Sequence, residues 1–261
     1  MNPVLRPLAA RYAEWLHLPA AEAADVSDEQ PDQVRAMPVI LRFEKADPPG
    51  RTPLLEAAAA AAVAVCLDER AVAEDGEWHE AVNAWIDGRI RKVSRRARGA
   101  HWEAVQELPG ITVEVGGAQA RALVPGRVVD NPKVVSRLQV SGSELASDEP
   151  GPVPDGVPVL YLNPAAGMTV GKAAAQVGHG TMILASLLGD DDLGGWAKRD
   201  FRCAVRIPDA TTWNALHPGA DPGLAWRERG VVAVRDAGFT EVAPGTVTVL
   251  AQWFPAGQGS V

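Results

Sequence analysis

Residues 231–251 read VVAVRDAGFTEVAPGTVTVLA. The opening run at 231–234 is short, apolar and β-branched, as a buried strand is, and it stops at Arg235-Asp236. Ala237-Gly238 and Pro244-Gly245 are turn pairs, and from Thr246 to Leu250 threonine alternates with aliphatic residues at the period of a second strand. One carboxylate, Asp236, therefore stands at the end of a buried strand, with Thr240 and Thr246 beside the turns. In an open α/β sheet, ligands bind in the crevice beyond the strand ends. Read alone, Asp236 could equally cap a turn.

Length and composition set the bounds. The chain has 261 residues, enough for one large or two small domains, and 47% of them are hydrophobic, enough for a substantial core. No apolar run reaches membrane-spanning length, and the start lacks the pattern of a signal peptide, so the expected location is the cytoplasm, with no membrane partner. Cys66 and Cys203 show no metal or redox spacing and read as buried thiols. A net charge of −8 argues against indiscriminate binding of polyanions, so any contact with RNA needs a local basic patch.

In chain order, residues 1–36 read as an N-terminal tail holding a short amphipathic helix (8–18) and an acidic, solvated segment. Residues 37–140 follow as a first unit: a strand at PVILRFEK, an alanine-rich helix after Pro53, two helices carrying Trp78, Trp85 and Trp102, and a strand at GITVEV with its turn at 122–126. Residues 141–156 form a Pro/Gly/acid linker, and 157–261 form a second unit. The second unit repeats the first. Pro38-Val-Ile-Leu answers Pro158-Val-Leu-Tyr, the interval from Trp85 to Trp102 equals that from Trp196 to Trp213, and Arg91 and Arg202 lie at equal offsets between them. The expected fold is α/β, two similar three-layer units arising by tandem duplication, each a small mixed β-sheet flanked by helices. The two lobes are expected to pack as an internal pseudo-dimer.

Behind the strand at 157–162, residues 171–179 read GKAAAQVGH. On a helix, Lys172, Gln176 and His179 fall at i, i+4 and i+7 and share one face, opposite small and aliphatic residues. Gly171 lies at the helix start, where free N–H groups and the positive dipole end favour an anion. Lys172 opposes that dipole, so helix stability does not explain its position, whereas an anionic ligand does. A solvated polar stripe is the alternative.

Together, DAGFTEVAPGTVTVL and GKAAAQVGH resemble the two signatures of the type-2 peptidyl-tRNA hydrolase family, over roughly residues 154–255. The resemblance implies a peptidyl-tRNA substrate and cleavage of the ester joining peptide to terminal ribose; with no metal-ligand set and no Ser nucleophile motif visible in the sequence, the expected chemistry is acid–base hydrolysis without metal or cofactor. The resemblance also implies that Lys172 holds a phosphate or the oxyanion and that Asp236 and His179 orient or deprotonate the water. Gly171, Gln176, Thr240 and Thr246 would then bind substrate. The sequence departs from the family pattern at Val170, where a second basic residue is usual, and at Phe239, where arginine is frequent.

The first unit has Arg51-Thr52-Pro53 in place of the Gly-Lys pair and no matching acid, so it is expected to be catalytically silent. Its run from 89 to 98 carries six cations and no acid: Arg89, Arg91, Lys92, Arg95, Arg96 and Arg98. These are candidates for tRNA phosphates, or else a solvated basic edge strand. Two rival functions remain open on sequence alone: a non-catalytic RNA- or ribosome-associated binding protein on a hydrolase-derived fold, and a hydrolase of some other acylated small molecule.

Overall fold

The computed structural model describes residues 3–140 and 144–254; the first two residues, the first three of the proposed linker and the last seven lie outside this range. The N-terminal stretch folds as α1 (Arg6–His17) and α2 (Ala20–Ala24). The first unit continues through β1 (Arg35–Arg42), α3 (Arg51–Leu67), α4 (Glu69–Val72), α5 (His79–Ile86) and β2 (Lys92–Ala97). It closes with α6 (Ala100–Gln106), β3 (Gly110–Val115), β4 (Ala118–Leu123), β5 (Gly126–Arg127) and α7 (Lys133–Ser136). The second unit runs β6 (Val159–Leu162), α8 (Val170–Leu187), α9 (Asp190–Ala197), β7 (Ala204–Arg206), α10 (Ala210–Leu216), α11 (Pro222–Arg229), β8 (Val231–Arg235) and β9 (Val247–Gln252).

Each unit builds a mixed sheet on one plan. The first has strand order β2-β1-β4-β3, with β5 paired to β1, and the second has order β7-β6-β9-β8. In both, the leading strand has a parallel neighbour on one side and an antiparallel neighbour on the other, and a further antiparallel strand closes the edge. The matched tryptophans do the same work: Trp85 Nε1 donates to the Arg91 carbonyl at 3.0 Å, and Trp196 Nε1 to the Arg202 carbonyl at 2.7 Å. The fold is therefore α/β in two similar units.

One strand was illegible in the sequence. Residues 118–123 (AQARAL) were expected to lie in and before a turn, yet they form β4, paired with both β1 and β3. The actual turn is Gly116-Gly117, both at positive φ (53° and 81°). That backbone is the one a two-residue hairpin loop demands, and glycine adopts it at no steric cost.

The two units share a core. Helix α3 packs on the first sheet and against α8, which packs on the second. Buried side chains from β1, α3, α8, β8 and β9 form one continuous cluster. Ala57 to Ala62 are all fully buried, so α3 is covered on every side and needs no polar face. Small side chains let the helices approach closely enough for Thr181 Oγ1 to donate to the Ala59 carbonyl at 2.9 Å. The Glu56 carboxylate on α3 accepts the Val205 N–H of edge strand β7 at 2.9 Å.

The short helix expected at 8–18 is α1, and the acidic segment expected to be solvated carries ion pairs to the first unit. Helix α1 lies along the second unit, where Tyr12 Oη accepts the Ala233 N–H at 2.7 Å and Trp15 Nε1 donates to the Arg235 carbonyl at 3.1 Å. It thereby covers the free edge of β8, which would otherwise be open to pairing with another chain. The acidic segment docks on the first unit: Glu29 accepts both terminal nitrogens of Arg91 at 2.5 and 2.6 Å, and Asp28 accepts Arg89 at 2.8 Å.

Candidate active site

Helix α8 starts at Thr169, whose Oγ1 accepts the Lys172 N–H at 3.2 Å. The Thr169 N–H and hydroxyl in turn donate to the two oxygens of Glu241 at 2.9 and 2.7 Å. A carboxylate so placed complements the helix dipole. It also ties the loop after β8 to the helix, so that 236–241 lies across the first turn of α8.

That tie sets Asp236 opposite Lys172. Lys172 Nζ lies 2.7 Å from Asp236 Oδ2 and donates to Thr240 Oγ1 at 3.0 Å. One turn along α8, Gln176 Nε2 donates to the same Oδ2 at 2.7 Å, and the Gly238 N–H donates to Oδ1 at 2.7 Å. The Lys172 and Asp236 side chains are each only 9% exposed. The Gln176 amide is oriented from below: Thr248 Oγ1 donates to its Oε1 at 2.5 Å, so Nε2 must face the carboxylate. Thr248, fully buried on β9, was not singled out in the sequence. Its signal is faint, because threonine in TVTVL reads simply as a β former.

Thr246 stands apart from this cluster. Its hydroxyl donates to the Ala243 carbonyl at 2.7 Å, and its own carbonyl accepts the Asp236 N–H at 2.8 Å, so it braces the loop through the backbone. The other second-unit candidates, Gly171, Lys172, Gln176, His179, Asp236 and Thr240, all line one cleft of about 650 Å³. The remaining wall comes from elsewhere in the chain: Tyr12 and Trp15 of α1, Ile90 before β2, and Lys92 and Ser94 on β2. Phe239, half-exposed, stands at the same cleft, with the Arg91 guanidinium 5.2 Å from its ring centroid.

The six cations of the basic run divide rather than forming one surface. Arg89 and Arg91 are engaged by Asp28 and Glu29. Arg95 donates to the Leu138 carbonyl at 2.9 Å, the Arg96 side chain bonds Gln139, and Arg98 is exposed. Lys92 turns into the cleft, where its Nζ lies 3.0 Å from His179 Nδ1 and 5.1 Å from the Trp85 ring centroid. Burial pulls the Lys92 ammonium down to about 7, with partial compensation from Cys66. Burial, and then the nearby Lys92 and Lys172 charges, hold His179 well below its ordinary value, so its imidazole is neutral at physiological pH.

A mixed α/β domain thus presents an ammonium, a carboxylate, an amide and a neutral imidazole on one cleft. Such groups can bind an anion and move protons. Among the described residues, no group of three or more His, Cys, Asp or Glu side chains is placed to hold a metal ion. Residues 158–258 match the family model for peptidyl-tRNA hydrolase PTH2, and the second unit is a domain of that family. Comparison with curated proteins and with solved structures gave no match.

Proposed function

We propose that the protein hydrolyses the ester between peptide and terminal ribose in peptidyl-tRNA, releasing the peptide and free tRNA. The observation that carries this reading is the Lys172–Asp236–Gln176 cluster at the mouth of α8, set within the family-matched unit. Lys172 has three N–H donors and uses two on Asp236 and Thr240; the third is available to the oxyanion that forms when water adds to the ester carbonyl. His179 has Nδ1 engaged by Lys92, leaving Nε2 as the ring nitrogen for the cleft. The water proton is taken up at the imidazole or at Asp236, the carbonyl–oxygen bond of the ester breaks, and the ribose oxygen leaves with a proton. The half-exposed ring of Phe239 supplies a stacking face for the terminal base.

The reading places the protein in the cytoplasm, with tRNA. No helix of the described residues is long and apolar enough to cross a membrane. The paired lobes act in it as an internal pseudo-dimer, with one competent site in the second. One observation favours a second reading, hydrolysis of a smaller acylated substrate: two arginines that line the cleft, Arg89 and Arg91, are paired with Asp28 and Glu29. The test compares an N-acetylated aminoacyl-tRNA with the corresponding aminoacyl ester of adenosine. Preference for the full tRNA, falling steeply with salt, supports the first reading. Equal, salt-independent turnover supports the second, and no release from either refutes both.

A further inference from the structure

Lys92 is contributed by the first unit, the one with no Gly-Lys pair and no matching acid, yet its ammonium ends 3.0 Å from His179 on the second unit's helix. The route is narrow. Lys92 passes α8 at Gly178, where a side-chain Cβ would fall 3.1 Å from Lys92 Cε, 3.2 Å from Cδ and 3.0 Å from Ala62 Cβ. A glycine here admits the aliphatic stem, and Trp85 receives the ammonium beside its ring face. Two residues along the strand, Ser94 lines the same cleft with a buried hydroxyl that has no hydrogen-bond partner among the described residues. Strand β2 is therefore shaped toward the cleft at more than one position. A cation placed only for solubility would sit on the outer edge of β2, in water.

We infer that the first unit completes the active site of the second: Lys92 is a positioning residue that fixes which nitrogen of His179 carries the proton. This inference rests on the hydrolase reading of the site. A charged Lys92 has only donors, so His179 Nδ1 must accept and the imidazole proton is confined to Nε2. His179 then offers the cleft an N–H, suited to holding the substrate carbonyl or donating to the departing ribose oxygen. When Lys92 is neutral its nitrogen can accept as well as donate, the Nδ1–H tautomer becomes available, and in that form Nε2 is a base toward the cleft. The groups facing Lys92 are Cys66 on α3 and His179 on α8, with the Trp85 ring on α5, and the Lys172 charge acts on His179. With that surrounding set, the exchange of roles falls at about pH 7.

The test is nitrogen-15 NMR of the His179 imidazole in the full-length protein, paired with hydrolysis kinetics. Wild type is expected to show Nε2–H as the sole tautomer below neutrality and a shift toward Nδ1–H as pH rises through about 7. In Lys92→Met both tautomers should appear at every pH, with kcat lowered at least tenfold and KM within about twofold. A single, pH-independent tautomer in wild type overturns the inference, and that measurement needs no variant to fold. An unchanged tautomer or an unchanged kcat in folded Lys92→Met does so as well. If wild type hydrolyses neither ester, the hydrolase reading falls on its own, and the tautomer comparison still decides whether Lys92 governs His179.

Discussion

Asp236 Oδ2 receives two donors from one face of one helix, the Lys172 ammonium and the Gln176 amide, each at 2.7 Å. Spacing of i and i+4 on α8 brings the donors into line, and the end of β8 delivers the acceptor. The carboxylate cannot rotate without losing one of them or the Gly238 N–H on its other oxygen. A reacting water or ester that meets this group meets it in one orientation, which is the pre-organisation that acid–base chemistry requires.

The hydroxyl beneath that cluster has a testable share in it. Thr248→Val keeps shape but releases the Gln176 amide to turn, exposing its carbonyl oxygen to Asp236. The expected cost is about 1 kcal/mol in urea unfolding and a three- to tenfold fall in kcat/KM, on the order of a kcal/mol of transition-state stabilisation. Loss of stability with full activity would show that the orientation of Gln176 does not matter to the reaction.

Two helical glycines should respond oppositely to alanine. At Gly178 the added methyl meets Ala62 Cβ at 3.0 Å and the Lys92 stem at 3.1 Å, so α3 and α8 must part or Lys92 must leave. Overpacking of this kind outweighs the gain of about 1 kcal/mol in helix propensity, and Gly178→Ala is expected to be net destabilising. At Gly194 in α9 nothing lies within 4 Å of such a methyl, and Gly194→Ala should stabilise by about 0.5–1 kcal/mol. Denaturant midpoints of the two variants check both signs.

The unit-to-unit design was partly legible in the sequence. The face carrying Lys172, Gln176 and His179 is a matter of helical spacing, and Asp236 is a matter of where an apolar run stops, so both could be read locally. Lys92 could not be placed that way. On a strand rich in cations it looks like solvated charge, and only the passage at Gly178, set by packing between distant segments, shows it entering the cleft. Strand β4 escaped because AQARAL has the composition of a helix, and its β-structure is imposed by neighbours on both sides. The acidic segment at 25–29 read as solvent-facing for the same reason: its partners, Arg89 and Arg91, are remote in the chain.

That acidic latch should be pH-sensitive. The guanidinium of Arg91, bonded through both nitrogens, holds Glu29 below the ordinary carboxylate range. A carboxylate whose folded value is depressed contributes stability above its unfolded value, about 4.3, and loses it as pH falls through the folded one. The difference in stability between wild type and Glu29→Gln is therefore expected to be constant near neutrality and to shrink progressively on acidification below the ordinary carboxylate range, as measured by urea unfolding across that range. A difference that grows on acidification would contradict the ion pair.

Both thiols should be silent in the native protein. Burial pushes Cys66 up to about 12 and raises Cys203 well above its ordinary value. The thiolate is the reactive form, so a thiol-specific chromophoric reagent at pH 8 is expected to label neither residue until denaturant is added. Rapid labelling of either in the folded state would show that it reaches solvent.

The most direct test of the central claim is single-turnover hydrolysis of N-acetylated aminoacyl-tRNA by wild type, Lys172→Ala and Asp236→Ala, each checked for folding by circular dichroism. If the ammonium–carboxylate pair at 2.7 Å is the working centre, wild type releases the acylated amino acid and both variants are slowed at least tenfold. Folded variants that both retain the wild-type rate would contradict it.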